Sequence, residues 1–221
     1  MKSDNKSKAK IAFVCQQCGK ESPKWLGHCP DCGAWNSFVE TRVSLSRISS
    51  VQPRFPENKP QELCEVDKGE FCRLCLGSNE FDRVLGGGLV PGSLVLIGGE
   101  PGIGKSTLLL QSSAMIAENN KPVAYISGEE SINQVKLRAE RLSVSGKGLY
   151  ILSETNLDAI LGYLEELSPS LVVIDSIQTM YLEDVAGAAG SITQIRQCTH
   201  RLMHWAKQSN VSVFIAGHVT K

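Results

Sequence analysis

The chain has 221 residues, 42% hydrophobic and 21% charged, which excludes disorder over most of its length and allows one full α/β domain with a smaller module attached. Twenty-three Lys and Arg offset 23 Asp and Glu, so a polyanion would have to be met by a local patch rather than by bulk charge. Apolar runs such as Val211–Ala216 fall far short of the ~20 residues of a membrane helix, and Ile11–Val14 behind the basic N-terminus is too short for a signal-peptide core.

The first signal along the chain is Cys15-x2-Cys18, followed ten residues on by Cys29-x2-Cys32. Two residues between thiols let both sulfurs converge on one metal from a single tight turn, and the following Gly19 and Gly33 free the backbone to turn amides toward the sulfurs. Four thiolates close a tetrahedral shell, so Cys15, Cys18, Cys29 and Cys32 are predicted to hold a structural zinc ion in a four-Cys ribbon over residues 1–40. Redox or disulfide cysteines are the competing reading. The absence of an export signal sets it aside, and it sets the chain in a reducing cytoplasm with no membrane partner. Trp25 and Trp35 are expected to pack over the site, with His28 left on the surface. Residues 41–68, carrying Ser44, Ser46, Ser49, Ser50, Pro53, Pro56 and Pro60, read as a linker. Beyond it, Cys72-x2-Cys75 has no matching second pair, Cys64 is poorly spaced to help, and the pair falls in a predicted strand, Glu70–Leu76; these and the helical Cys198 read as structural thiols.

From residue 69 to 221 apolar strand-like runs alternate with helical patterns, the signature of an α/β domain with a mainly parallel sheet flanked by helices. The predicted strands are Leu94–Ile97, Val123–Ser127, Leu149–Leu152, Leu171–Asp175 and Val211–Ala216, each short and rich in Val, Ile or Leu. Leu157, Ile160, Leu161, Leu164 and Leu167 recur at helical spacing, as do Ile192, Ile195, Thr199, Leu202 and Ala206; Ser191 with Gln194 is a capping-box start for the second.

Between the strand Leu94–Ile97 and the apolar helix Leu108–Ala117 lies a phosphate loop, Gly99 to Ser106, of the form G-x4-G-K-S. Glycines allow the backbone to curve its N–H groups around a phosphate, and the helix N-terminus adds a favourable dipole. Gly99, Glu100, Pro101, Gly102, Ile103, Gly104, Lys105, Ser106 and Thr107 are therefore the predicted ATP contacts, with Lys105 reaching the β and γ oxygens and Ser106 ligating Mg²⁺. Leu171–Asp175 has the Walker B form, four apolar residues ending in a carboxylate, which places Asp175 to support the magnesium from the sheet's carboxyl edge. Just past the strand Val123–Ser127, Gly128-Glu129-Glu130-Ser131 brings two carboxylates to that edge; Glu129 is the predicted water-polarising base, against the plainer reading of two solvated helix-start residues. His218 and Thr220 are candidate γ-phosphate sensors.

The wording CQQCGKESPKWLGHCPDCGAWN, then DRVLGGGLVPGSLVLIGGEPGIGKSTLLLQ, YISGEES and LVVIDSIQTM, closely resembles the RadA (Sms) family of bacterial DNA-repair proteins over almost the whole chain, departing most at residues 57–78. The resemblance implies a RecA-like ATPase core, zinc on the four named cysteines, ATP on Gly99–Thr107, magnesium at Asp175 and water activation at Glu129. It also implies a DNA-dependent ATPase that works as a homo-oligomeric ring on single-stranded DNA and processes branched recombination intermediates by branch migration. Its expected partners are a RecA-type recombinase or a replication helicase. A DNA-binding loop would fall at 183–190, a segment (EDVAGAAG) that by itself lacks the aromatic and basic residues of single-strand binders. The family's further strands, second DNA loop and Lon-like domain would follow Lys221, so the core at 69–221 reads as C-terminally incomplete. Two other readings are a KaiC-like ATPase, which shares the paired-glutamate segment, and a zinc-dependent interaction module that binds nucleotide without turnover.

Overall fold

A computed structural model describes residues 10–43, 62–65, 72–118 and 122–218. The chain divides into two compact units, Met1–Glu70 and Phe71–Lys221.

The first unit is a three-stranded antiparallel sheet of β1 (Lys10–Cys15), β2 (Glu21–Ser22) and β3 (Phe38–Val43), in the order β2-β1-β3. Register pairs Cys15 with Phe38, and each cysteine pair is closed by its glycine: Gly19 N–H donates to Cys15 O and Gly33 N–H to Cys29 O, both at 2.9 Å. The interior is Cys15, Cys29 and Phe38, backed by Phe13, Cys18 and Leu26. So small a cluster cannot offset the entropy of ordering the chain, which leaves the thiols to supply the cohesion. The expected tryptophan lid does not form. Trp25 is half exposed with its indole N–H on Phe38 O (3.2 Å), and Trp35, 75% exposed, lies against His28 at a ring separation of 4.9 Å. Phe13, Leu26 and Phe38 already fill the apolar side of the site, so neither indole has a place inside. Of the predicted linker, residues 44–61 and 66–68 lie outside the described residues.

The second unit carries a five-stranded, all-parallel sheet in the order β4-β8-β7-β5-β6, from β4 (Leu94–Gly99), β5 (Val123–Ser127), β6 (Leu149–Leu152), β7 (Leu171–Asp175) and β8 (Ser212–His218). Strand alternation splits its side chains between two cores. Ala124, Ile126, Val172, Ile174, Val213 and Ile215 face α4 (Leu157–Leu167) and α5 (Ile192–Ser209). Val123, Tyr125, Leu171, Val173, Phe214 and Ala216 face α2 (Lys105–Glu118) and α3 (Ile132–Arg141), with Phe81 of the short α1 (Asn79–Val84) packed against the same core. Helices on both faces explain why β5 and β7 are apolar at nearly every position, each strand being buried throughout.

Three strands match the predicted bounds. The phosphate-loop strand runs two residues further, to Gly99, and the last strand lies at Ser212–His218. The strand expected at Glu70–Leu76 is reduced, among its described residues, to one antiparallel bridge between Leu74 and Leu89. Leu76 N–H turns to Asp82 Oδ1 (2.8 Å) instead of to a neighbouring strand, and Cys72 and Cys75 are both exposed rather than packed. On α5 the buried stripe is Gln194, Cys198, Leu202, Trp205 and Ala206, which leaves Ile192 half exposed. Ser191 Oγ does accept Gln194 N–H (3.4 Å), but the Gln194 side chain turns inward instead of closing the capping box. The full reciprocal box forms at Ser131 and Gln134, at the start of α3.

Candidate functional site

The thiols of Cys15, Cys18, Cys29 and Cys32 lie within 4.8 Å of one another. Cys15 and Cys32 sulfurs are 3.7 Å apart and Cys18 and Cys29 sulfurs 3.5 Å. A tetrahedron with zinc–sulfur bonds of ~2.3 Å has edges of about 3.8 Å, so the spacing fits that ion. The electrostatics agree. Against the opposing pull of burial, the Ser37 hydroxyl and the backbone N–H groups of Cys18 and Gln17 bring the Cys15 thiol down to about 6. Although the Lys20 N–H favours its thiolate, burial and the three neighbouring thiols push Cys18 up to about 12. Four sulfurs this close resist joint ionisation, and a dication in their midst removes that conflict. No other set of three or more metal-ligating side chains converges among the described residues.

The second site lies at the carboxyl edge of the parallel sheet, and its layout follows from strand order. Gly99 at the end of β4 is in register with His218 at the end of β8, and Ser127 at the end of β5 with Asp175 at the end of β7. The phosphate loop, His218, Asp175 and the Gly128–Ser131 segment therefore emerge side by side.

In the loop, Gly102 and Gly104 hold φ of +79° and +102°, backbone that L-residues rarely adopt, and a Cβ built at either meets nothing within 4 Å. Their inner space is open to a phosphate, and α2 begins directly at Lys105 with its free N–H groups. Lys105 is buried, and its Nζ donates to Gly99 O and Glu100 O, both at 2.8 Å, so the ammonium sits across the loop. Ser106 Oγ donates to Asp175 Oδ1 at 3.0 Å, joining residues 69 positions apart. Pro101 and Ile103 are exposed and Thr107 is half-buried on the first turn of the helix.

Glu129 follows a glycine with no alternative: a Cβ at Gly128 would overlap the Thr179 side chain. Ser176 Oγ donates to Glu129 Oε1 at 2.6 Å and His218 Nε2 lies 3.1 Å from the same oxygen. The Ser176 hydroxyl, then the His218 contact, hold the Glu129 carboxyl below its usual range despite partial burial. His218 thus meets the predicted base rather than standing apart from it, while Thr220 lies outside the described residues.

Three participants escaped the sequence reading. Ser176 is one. Tyr125 donates its hydroxyl to Asp175 Oδ2 at 2.5 Å, and Arg138 Nη2 reaches Tyr125 Oη at 3.3 Å and Glu130 Oε2 at 2.7 Å. Burial and the nearby Asp175 carboxylate push the Tyr125 hydroxyl well above its ordinary range, so it stays protonated and donates. A tyrosine inside a fully buried strand was the available signal, because its hydroxyl must find a partner there. Nothing local distinguishes Arg138 from Arg141 on the same amphipathic helix.

The segment 183–190 is anchored at its start. The buried Gln194 carboxamide donates to Leu182 O, Val185 O and Gly187 O and accepts from Leu182 N–H. No helix among the described residues is long and apolar enough to cross a membrane.

The AAA domain family matches residues 78–221, and the rubredoxin metal binding domain matches residues 13–40. The chain is 50% identical over 222 residues to the DNA repair protein RadA of Bacillus subtilis (strain 168), covering 97% of this chain and 48% of that protein. It is 52% identical over 217 residues to the DNA repair protein RadA of Listeria monocytogenes and 49% identical over 218 residues to that of Halalkalibacterium halodurans. The chain spans about half the length of these curated relatives.

Proposed function

The chain belongs to the AAA domain family, and from that premise we propose that it is the zinc-ribbon and ATP-hydrolysing portion of a DNA repair ATPase of the RadA type. The observation that carries the reading is the convergence of phosphate loop, Asp175 and Glu129 on one sheet edge, closed by the hydrogen bond from Ser106 to Asp175.

Gly99–Thr107 wrap the triphosphate, and Lys105 exchanges its two loop carbonyls for β and γ oxygens. Ser106 and Asp175 would hold a magnesium ion, which would supply charge neutralisation on the phosphates. Glu129, kept ionised by Ser176 and His218, accepts a proton from the attacking water as the terminal phosphoryl group leaves the β-phosphate. His218 touches Glu129 from the strand beside the loop, and on this reading it senses the γ-phosphate.

On this reading the ribbon at 1–40, the linker at 41–68 and the core at 69–221 act in the cytoplasm as part of a homo-oligomeric ring on single-stranded DNA. The ring drives branch migration of recombination intermediates beside a RecA-type recombinase or replication helicase. The support is that the relatives are DNA repair proteins; on the same reading segment 183–190 is the loop that faces DNA.

The test is phosphate release by the zinc-loaded protein, with and without single-stranded DNA. Stimulation by DNA, abolished in Lys105→Ala with zinc content unchanged, is the expected result. Undiminished turnover in Lys105→Ala would overturn the site, and DNA-independent turnover would overturn the DNA reading and favour the KaiC-like one.

A further inference from the structure

Asp175 stands at the long end of an ion pair with a largely buried cation, beyond direct hydrogen-bond reach of it. Arg138, whose side chain is 12% exposed, holds Nη2 2.7 Å from Glu130 Oε2 but 3.9 Å from Asp175 Oδ2. The Tyr125 hydroxyl stands between them, accepting from Arg138 Nη2 at 3.3 Å and donating to Asp175 Oδ2 at 2.5 Å. That leaves Asp175 Oδ1 for the Ser106 hydroxyl. The two oxygens of one carboxylate thus have separate tasks, one tied to β5 and α3 and the other presented to the phosphate loop.

We propose that Arg138, acting through Tyr125, is a positioning residue that fixes Asp175 with one oxygen held by the relay and the other turned to the phosphate loop, for the magnesium of a nucleotide complex. The inference rests on the proposed ATP site and deepens it. A direct bidentate pair with an arginine would occupy both oxygens of the carboxylate and leave neither facing the phosphate loop. A hydroxyl relay avoids that. It orients Oδ2 through a neutral donor, while the guanidinium polarises the hydroxyl and spends its own charge on Glu130. Arg138 Nε and Glu130 Oε2 are both buried without a hydrogen-bond partner, so the Glu130 contact is one of charge and the hydrogen bond of the guanidinium goes to Tyr125. Its placement is dictated by the Tyr125 and Glu130 contacts. The same link couples Glu130, next to the proposed base Glu129, to the residue that holds the metal.

The test is equilibrium ATP binding by the zinc-loaded chain, in excess magnesium and in EDTA, for wild type, Tyr125→Phe, Arg138→Met and the double variant. The quantity read is the strengthening of ATP affinity by magnesium. Wild type is expected to show it, and each single variant to lose about tenfold of it while affinity in EDTA stays within about twofold. The double variant should be no worse than either single change, because the two residues act in series. Arg138→Lys, which keeps a cation beside Glu130, replaces Arg138→Met if the latter does not fold, and should recover only part of the effect. Magnesium strengthening equal to wild type in folded variants overturns the proposal and leaves the ATP site standing. Losses that add in the double variant overturn the relay. Absence of saturable ATP binding by wild type overturns the site itself, and the proposal with it.

Discussion

The ribbon and the parallel-sheet unit are held together by different means. In the ribbon, the residues that form the site are also the core: Cys15 and Cys29 are its most buried side chains, with Phe38 beside them. In the sheet unit, two apolar cores on opposite faces make the scaffold, and the chemically active groups are added at one edge. Site and stability are therefore inseparable in the first and separable in the second. Four experiments set the two units against each other on that basis.

The largest effect is expected from removing zinc. Binding of ~10–16 kcal/mol is folding energy for a module of this size, so a chelator or Cys29→Ser should unfold residues 10–43. The sheet unit should persist, read by amide exchange across both units; loss of protection in β7 and β8 would show that the units are not independent. Glu129→Gln should lower hydrolysis by about 10²–10⁴-fold with ATP affinity and melting temperature nearly unchanged, a purely chemical loss that the ribbon has no means of showing. Ile160→Ala, by contrast, deletes a fully buried side chain packed between α4 and the sheet, and should cost about 2–5 kcal/mol in a denaturant titration while leaving zinc content intact. Ser131→Ala, which removes one half of the capping box of α3, should cost about 1 kcal/mol.

A pH series sharpens the same contrast. Glu129 has a folded-state pKa lowered first by Ser176 and then by His218. Its contribution to stability is therefore complete above its unfolded value and is lost as pH falls through the lowered folded value. Ser176→Ala should move the Glu129 carboxyl titration upward, followed by side-chain NMR. The ribbon responds through its thiols instead, shedding zinc as acid protonates them.

Legibility followed the same division. Spacing revealed the convergence of four thiols because two tight turns bring them together, and the bend at residues 102 and 104 because only glycine readily takes that backbone. Buried strands such as Val123–Ser127 and Leu171–Asp175 announced themselves by apolar runs. What depended on tertiary choice did not show. Whether Trp25 and Trp35 cover the thiols is decided by Phe13, Leu26 and Phe38 filling that space first. Gln194 reads as half of a capping box, yet its carboxamide turns inward to the carbonyls of Leu182, Val185 and Gly187. The link from Arg138 through Tyr125 to Asp175 joins three elements, and no local pattern carries it.

The most direct test of the account is a titration of the zinc-loaded protein with fluorescent ATP in magnesium, beside the same titration of Lys105→Ala. Two or three charge-assisted hydrogen bonds from this ammonium to phosphate oxygens predict saturable binding that weakens by about a hundredfold in the variant. No saturable binding by the wild type, or equal binding by both, would contradict the claim that this loop holds a nucleotide.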